Sequence, residues 1–437
     1  MYTKKNIMIA GASRAGVLAA QFVASRNANV ILCDSAANLS LARRALVSYP
    51  LQFEEGFRPD IGQAADMVIV APEVSWKETA VRAAAQAGRE VLSVAELAFR
   101  HIKAPTLAVC GVRGTTTTAA LVGEMLRASG RSVFVGNEIN LLEAAEQTFD
   151  WVVASVSAEQ LAFIHWFHPR VAGLLNIPTQ SELPNMTVEE HTTLLLRLFA
   201  HMESSDVVAL NLDQDIRSLV PKIPAGRKLY FSAAHPQATV RIDQGDLAVF
   251  GGQERYPVSE IKLKGRDATQ NAMAAVVLAR GAGATPDGVR QALQSFVGLP
   301  HRLELIRSVD GVSFINDAKS SSPAATLQSL ESLDPKLRVI LLVGGAEMGG
   351  NYRILSSAVK ARCRAVIVFG EARASLSQAL QGTTLVSPAI DLAAAVRLSK
   401  LLAQQGDVVL LSPGCPPEDV SRGFEATGEA FRALLHS

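Results

Sequence analysis

The chain has 437 residues, a formal net charge of +1 and a hydrophobic fraction of 49%. This length predicts two or three domains, and the balance of charges argues against a broad nucleic-acid-binding surface, which needs a basic excess. The four cysteines are far apart and form no C-x-x-C pair, so neither a structural zinc site nor a disulfide framework is expected. No apolar run reaches the roughly 18 residues of a membrane span, and we expect a cytoplasmic α/β protein.

Short runs of valine, isoleucine and leucine alternate with alanine- and leucine-rich helical stretches, which is the pattern of βαβ units. The strands predicted before a boundary at Lys103-Ala104-Pro105 are NIMIAGA, NVILCD, DMVIVAP and EVLSV. A second group consists of TLAVCGV, SVFVG, DWVVASVS, RVAGLLNI and DVVALNLD, followed by a β-rich stretch and the helix NAMAAVVLARGAGA. A third group starts near Gly298 with the strands VSFIND, RVILLVGG, AVIVFG and DVVLLSP.

The segment CGVRGTTTTAALVGEML, residues 110–126, has part of the pattern of a phosphate-binding loop. Gly111 and Gly114 would let backbone N–H groups turn towards an anion. The helix predicted over residues 116–128 would point its positive end at the same place. These two features favour a nucleotide phosphate, although a strand–turn–helix with tightly packed glycines has the same pattern.

The lysine that a phosphate loop uses to reach the β- and γ-phosphates is missing from this segment, because Thr115 stands at its position. Thr116 could place its hydroxyl on Mg²⁺. Arg113 supplies positive charge, but its rigid guanidinium is not equivalent to a lysine ammonium. The loop alone therefore leaves nucleotide binding and simple packing open.

A second glycine turn, GASRAG at residues 11–16, is similar to the dinucleotide-binding pattern G-x-G-x-x-G with Ser13 at the middle glycine. Asp34 ends the next predicted strand, as the acidic residue of such sites does. Ordinary βα packing produces the same turn, so its function depends on the rest of the chain.

Several motifs, in the same order along nearly the whole chain, resemble those of the Mur ligases, most closely the D-glutamate-adding members. The segment GLPHRLE at residues 298–304 is similar to the start of the family's last domain, and Asn316, Asp317 and Lys319 match its N-D-x-K motif. Further matches are GNEIN from Gly136, Asn271, and the ending LLSPGCPPEDVSRGFEATGEAF.

The resemblance implies an α/β fold with the three-domain Mur ligase architecture. It places a Rossmann-like N-terminal domain at residues 1–103, a P-loop-type central ATPase domain at 104–297 and a Rossmann-like C-terminal domain at 298–437. In this family ATP phosphorylates a substrate carboxylate, and the amine of an amino acid then attacks the acyl phosphate. The resemblance thus implies ATP and Mg²⁺ as cofactors, a UDP-muramoyl nucleotide or other nucleotide sugar as ligand, and a monomer.

Two sets of positions follow from the same resemblance. The nucleotide-binding set is Gly111, Arg113, Gly114, Thr115, Thr116, Thr117, Asn271, His301, Arg302 and Asp317, with Thr116 also the candidate metal ligand. The substrate-binding set is Ser13, Arg14, Asn137, Lys319 and Ser412.

Seven positions to which the resemblance assigns chemistry hold a different residue here. They are Thr115 for the loop lysine, Ser155 for a metal-binding glutamate, Ser181 for a histidine, Leu195 for the carbamylated lysine at the second metal, Met348 for a substrate-contacting lysine, and Pro417 and Ser421 for the serine and phenylalanine that help seat D-glutamate. Ser155, Ser181 and Leu195 offer no carboxylate to Mg²⁺, which prefers carboxylates plus phosphate. Glu159 and Glu182 are nearby acids that a shifted alignment would bring in.

Two functions remain open. One is an active ATP-dependent ligase that adds D-glutamate to UDP-N-acetylmuramoyl-L-alanine. The other is a catalytically degenerate relative that binds a nucleotide sugar or a cell-wall enzyme and acts as a scaffold or regulator. The combined loss of lysines and metal ligands favours the second, because a site that joins anions depends on such groups.

Overall fold

The computed structural model describes residues 2–179, 186–214, 216, 219–223, 226–263, 267–347, 349–418 and 423–436. Ser181, Glu182, Met348 and Ser421, which the sequence singled out, lie outside these residues. The chain divides into two compact units, Met1–Val297 and Gly298–Ser437. Within the described ranges, no helix is long and apolar enough to cross a membrane.

The first unit starts with a parallel sheet, here called the N-terminal sheet. Its strands in the described residues are β1 (Asn6–Ala10), β2 (Asn29–Asp34), β3 (Leu51–Glu55), β4 (Met67–Val70) and β5 (Glu90–Ser93). The helices beside it are α1 (Arg14–Ala24), α2 (Ala36–Ala45), α3 (Pro59–Ala64), α4 (Thr79–Gln86) and α5 (Val94–Phe99). The strand order is β3-β2-β1-β4-β5. The strands β2 and β3 are added on one side of β1 and the strands β4 and β5 on the other, so the topological switch point lies between β1 and β4. In open α/β sheets, ligands bind at the carboxyl ends of the strands at such a switch point.

A larger sheet, the central sheet, follows in the same unit. Its described strands are β6 (Thr106–Cys110), β7 (Val133–Asn137), β8 (Trp151–Ser155), β9 (Val171–Leu174), β10 (Val207–Asn211), β11 (Arg227–Ser232), β12 (Val240–Asp243), β13 (Asp246–Val249) and β14 (Glu254–Pro257). Its helices are α6 (Thr115–Ala128), α7 (Ala158–Leu161), α8 (Val188–Leu196), α9 (Ala268–Gly281) and α10 (Pro286–Ser295). The order is β14-β13-β12-β11-β10-β9-β6-β8-β7, and only the β12–β13–β14 end pairs antiparallel among these strands.

The N-terminal and central sheets share a hydrophobic core that includes residues of β1, α1, α5, β6 and α8. The Glu96 carboxylate is fully buried in this region. It accepts hydrogen bonds from the backbone N–H groups of residues 165, 166 and 167 and from Arg100 Nε, which lies 2.9 Å away. A buried charge is tolerated when it is paired and hydrogen-bonded in this way. The contact therefore fixes α5 against the loop that leads into β9.

The second unit contains the C-terminal sheet. Its described strands are β15 (Glu304–Val309), β16 (Val312–Asn316), β17 (Val339–Gly344), β18 (Cys363–Phe369), β19 (Leu385–Pro388) and β20 (Val408–Leu411), in the order β15-β16-β20-β17-β18-β19. Its helices are α11 (Pro323–Ser332), α12 (Ser356–Arg362), α13 (Arg373–Leu380), α14 (Leu392–Leu402) and α15 (Gly423–His436). The sheet is parallel apart from the antiparallel β15–β16 hairpin. The α/β class predicted from the sequence is confirmed.

Candidate functional site

The glycine loop connects β6 to α6 at the carboxyl edge of the central sheet. Gly111 and Gly114 have φ angles of 145° and 81°, in the region that favours glycine. A Cβ atom on Gly114 would collide with the side-chain amide of Asn271, so the loop and α9 come into direct contact. Helix α6 begins at Thr115, one residue earlier than predicted, and Thr115 is therefore its first helical residue.

Asn176, the second residue after β9, holds this loop in place. Its Oδ1 accepts hydrogen bonds from the N–H groups of Val112 and Arg113 at 2.8 and 3.1 Å, and its Nδ2 donates to the Arg113 carbonyl at 3.0 Å. Two of the loop N–H groups thus already have an acceptor within the protein. The sequence analysis did not assign this role, although β9 pairs with β6 and both strands end at the same edge.

The positive charge in the loop is limited by an ion pair. Arg113 Nε lies 3.5 Å from Asp267 Oδ2, and the two side chains are 61% and 36% exposed. An exposed pair of this kind contributes little to stability. The ion pair matters for the electrostatics of the loop, because the positive charge that Arg113 supplies there lies beside a carboxylate.

Two of the positions that the resemblance assigns to metal ligands hold residues without a carboxylate. Ser155 ends β8, is buried, and lies in register with Val109 of β6 and Asn137 of β7. Leu195 is fully buried in the core shared by the two sheets. Nowhere in the described ranges do three or more His, Cys, Asp or Glu side chains group in a way that could hold a metal ion. Ser155 and Leu195 therefore offer no carboxylate at the two described positions of the magnesium cage that the resemblance implies.

Asn137, a candidate substrate ligand, uses its side chain in the turn after β7. Its Oδ1 accepts from the Ile139 N–H at 3.0 Å, and its own N–H donates to Asn140 Oδ1 at 3.0 Å. The Asn137 side chain thus helps to shape the edge of the central sheet where the glycine loop also lies.

The loop between β1 and α1 holds two further substrate candidates, Ser13 and Arg14. The Ser13 N–H and Oγ–H donate to the two carboxylate oxygens of Glu73 at 3.0 and 2.6 Å. The Ala12 N–H donates to Asp34 Oδ2 at 2.6 Å. Desolvation raises the pKa of Glu73, and the hydrogen bonds from Ser13 oppose that shift. Glu73 was not singled out from the sequence, because its contact is with Ser13, which lies 60 residues away in another loop.

In the second unit, the candidate residues collect around a buried aspartate. Asp317 is 4% exposed and accepts hydrogen bonds from the Ser412 hydroxyl at 2.8 Å and the Leu303 N–H at 3.2 Å. Burial raises the pKa of Asp317, and hydrogen bonds from neighbouring serines oppose this effect. Burial also lowers the pKa of Arg302. Next to them, Asn316 Nδ2 donates to His301 Nδ1 at 2.9 Å.

A cavity of about 360 Å³ opens beside this cluster at the carboxyl ends of β17 and β18. Among its described lining residues are Asp391, Pro417, Glu418 and Phe424. The Lys319 ammonium lies 5.9 Å from the centre of the Phe424 ring. The sequence analysis quoted Phe424 only as part of the C-terminal motif and assigned it no role, and the match of the Phe-Glu pair at 424–425 to the family motif was the signal that could have singled it out.

The chain is similar to known proteins over nearly its whole length. A family model described as "Mur ligase, glutamate ligase domain" matches residues 301–415. A UDP-N-acetylmuramoylalanine–D-glutamate ligase of Syntrophotalea carbinolica is 34% identical, with 98% of this chain and 97% of the relative covered. The ligase of the same name from Geobacter metallireducens is 33% identical over 99% of this chain and 97% of its own length.

Solved structures show the same fold at lower sequence identity. The UDP-N-acetylmuramate-alanine ligase of Thermotoga maritima superposes with a TM-score of 0.56 at 15% identity, with 99% of each chain covered. This likeness concerns the fold alone. Together with the full-length similarity to the two D-glutamate ligases, it shows that the chain belongs to the Mur ligase family.

Proposed function

We propose that this Mur ligase homologue binds a UDP-muramoyl nucleotide or another nucleotide sugar without ATP-driven ligation, and acts as a scaffold or regulator for a cell-wall enzyme. The observation that carries the proposal is the charge deficit around the glycine loop. Thr115 replaces the expected lysine, Arg113 is paired with Asp267, and Leu195 belongs to the hydrophobic core.

The physical reason is the repulsion between the reacting groups. Formation of an acyl phosphate brings a triphosphate against a carboxylate, and lysines and divalent ions must neutralise both. Removal of a single group that stabilises developing charge typically lowers kcat by about 10²–10³-fold. Simultaneous loss of the loop lysine and of metal ligands would thus leave very little turnover.

A second candidate is the active ligase, which adds D-glutamate to UDP-N-acetylmuramoyl-L-alanine with ATP and Mg²⁺. The comparisons favour this candidate over the first, because relatives matched over nearly their whole length bear that name. The glycines of the loop, Asp317 and Lys319 also remain at the positions that the family uses. The two candidates thus differ in the weight given to overall similarity and to the substituted site residues.

Two measurements on the full chain separate them. Titration calorimetry would give the affinities for UDP-N-acetylmuramoyl-L-alanine and for ATP with and without Mg²⁺. A phosphate-release assay with ATP, Mg²⁺, UDP-N-acetylmuramoyl-L-alanine and D-glutamate would then test turnover. We expect binding of the UDP compound and no Mg²⁺-dependent phosphate release. Release at a rate typical of a ligase would establish the second candidate, and failure to bind any nucleotide sugar would refute the first.

We also propose a cytoplasmic monomer with domains at residues 1–103, 104–297 and 298–437. This division is supported by the three sheets, since each range contains one of them.

A further inference from the structure

The N-terminal sheet has its topological switch point between β1 and β4, which are parallel neighbours in the register Ala10 to Val70. Ligands of open α/β sheets enter the crevice at the carboxyl ends of such strands. The loop after β1 reaches α1 through Ser13, and the loop after β4 carries Glu73. These two loops therefore form the walls of the crevice in which a ligand of this sheet would bind.

Glu73 closes this crevice with its own side chain. Its two carboxylate oxygens accept from the Ser13 N–H and Oγ–H, which are the donors that a helix N-terminus offers to a phosphate. The loops are also closely packed, because a Cβ atom on Gly11 would stand only 2.5 Å from Glu73 Oε1 and 2.8 Å from the Ala71 side chain. The anion-binding position is thus held by a group that belongs to the protein.

The charges around this position add to the competition. Asp34, at the end of β2, accepts from the Ala12 N–H next to Ser13, so a second carboxylate faces the same loop. Arg14 directly follows Ser13 in the chain, and one of its guanidinium nitrogens lies 3.5 Å from Glu143. A phosphate brought to Ser13 would meet the negative charge of Glu73 at hydrogen-bonding distance, and like charges in such contact repel.

We propose that Glu73 determines ligand specificity at this crevice by occupying the Ser13 donors, so that a phosphate-bearing ligand binds only when the Glu73 carboxylate is displaced. Glu73 is an exposed residue, so its side chain can turn towards solvent. The inference rests on the proposed binding of a nucleotide sugar and adds the residue that restricts it.

The test compares UDP with uridine, which lacks the phosphates, by titration calorimetry on the full chain. The variants are Glu73→Ala, Glu73→Gln and the control Glu78→Ala, which removes a carboxylate that bonds locally to Thr79 at the start of α4. Because a hydrogen-bonded charge no longer has to be displaced, we expect both Glu73 variants to bind UDP about 10- to 100-fold more tightly than the natural protein. Uridine affinity should not change in any variant, and Glu78→Ala should bind UDP as the natural protein does.

The outcomes separate this inference from the proposed function. Equal UDP affinity in the natural protein and both Glu73 variants would refute the inference and leave nucleotide-sugar binding intact. UDP binding by the Glu73 variants alone would support the inference, and the titration of the natural protein with UDP-N-acetylmuramoyl-L-alanine would decide the proposed function separately. No UDP binding by any of the proteins would refute the inference. A gain in Glu73→Ala without a gain in Glu73→Gln would show that bulk, not charge, closes the crevice, and would refute the electrostatic explanation.

Discussion

The substitution Leu195→Lys introduces the lysine that the resemblance places at this position. We expect it to destabilise the protein strongly and not to restore a metal site. Leu195 is fully buried in the core shared by the N-terminal and central sheets. An apolar environment lowers a lysine pKa by up to about 3–5 units from about 10.4, and keeping the amine neutral at pH 7 then costs about 4–5 kcal/mol. The lost burial of leucine adds about 1.5–3 kcal/mol. Leu195→Lys should therefore lower the free energy of unfolding by about 5–8 kcal/mol, a large part of the typical total of about 5–15 kcal/mol.

Urea denaturation followed by circular dichroism would measure this effect, with Thr193→Lys as the control on the exposed face of the same helix. The control should change the free energy of unfolding by less than about 0.5 kcal/mol. The lysine pKa is lower in the folded than in the unfolded protein, so the unfolded state binds more protons and Leu195→Lys regains stability as pH rises towards about 10.4. The loss relative to the natural protein should shrink by about 2.7 kcal/mol between pH 7 and pH 9. If Leu195→Lys is as stable as the control and shows no such pH dependence, position 195 faces an open cleft and the reasoning is wrong.

Three further predictions follow from the loop and from the second unit. Thr115→Lys alone should not produce Mg²⁺-dependent phosphate release, because Ser155 and Leu195 still supply no metal ligand; recovered activity would show that the cage has been misplaced. Asn176→Ala should lower the free energy of unfolding by about 1–3 kcal/mol in thermal or urea denaturation, because two loop N–H groups lose their acceptor; unchanged stability would mean that water replaces the amide without cost. The raised pKa of Asp317 means that the folded state binds its proton more tightly than the unfolded state does. The stability of the natural protein relative to Asp317→Asn should therefore fall as pH rises above the ordinary value of 3.8. Urea denaturation at pH 4 and pH 7 would check this, and a stability difference that is the same at both pH values would contradict it.

The strands that the sequence predicted well are the buried ones. β4, β6, β17 and β20 are buried along their whole length, so they appear in the sequence as continuous apolar runs. β3, LQFEE, lies at the edge of the N-terminal sheet and has no fully buried residue, and β15 and β19 are similar edge strands. Such strands are fixed by backbone pairing with a neighbour, and their side chains do not follow a strong local pattern.

The residues of the candidate site can likewise be divided into those that the sequence predicts and those that it does not. The glycines at 111 and 114 were predictable, because a positive φ and a close contact at the start of a helix restrict the residue type locally. Asn176 and Glu73 were not, since each contacts a loop about 60 residues away that only the order of the strands brings near. The sequence thus predicts which loops can bind an anion, and the topology determines what occupies them.

The loops at the carboxyl ends of these strands still offer backbone N–H groups, and each N–H left without an acceptor when buried costs about 1–3 kcal/mol. Here the amide oxygen of Asn176 accepts from the glycine loop, Glu73 accepts from Ser13, and Glu418 accepts from the Glu371 N–H at 3.0 Å beside the cavity of the second unit. Side-chain oxygens that satisfy these donors stabilise the protein without ligand, and every anion that binds must compete with them. Under the proposed function, such oxygens would let the fold keep its stability without lysines and metal ligands, and the first step to recovering anion binding would be removal of the competing oxygen, as the Glu73 variants would test.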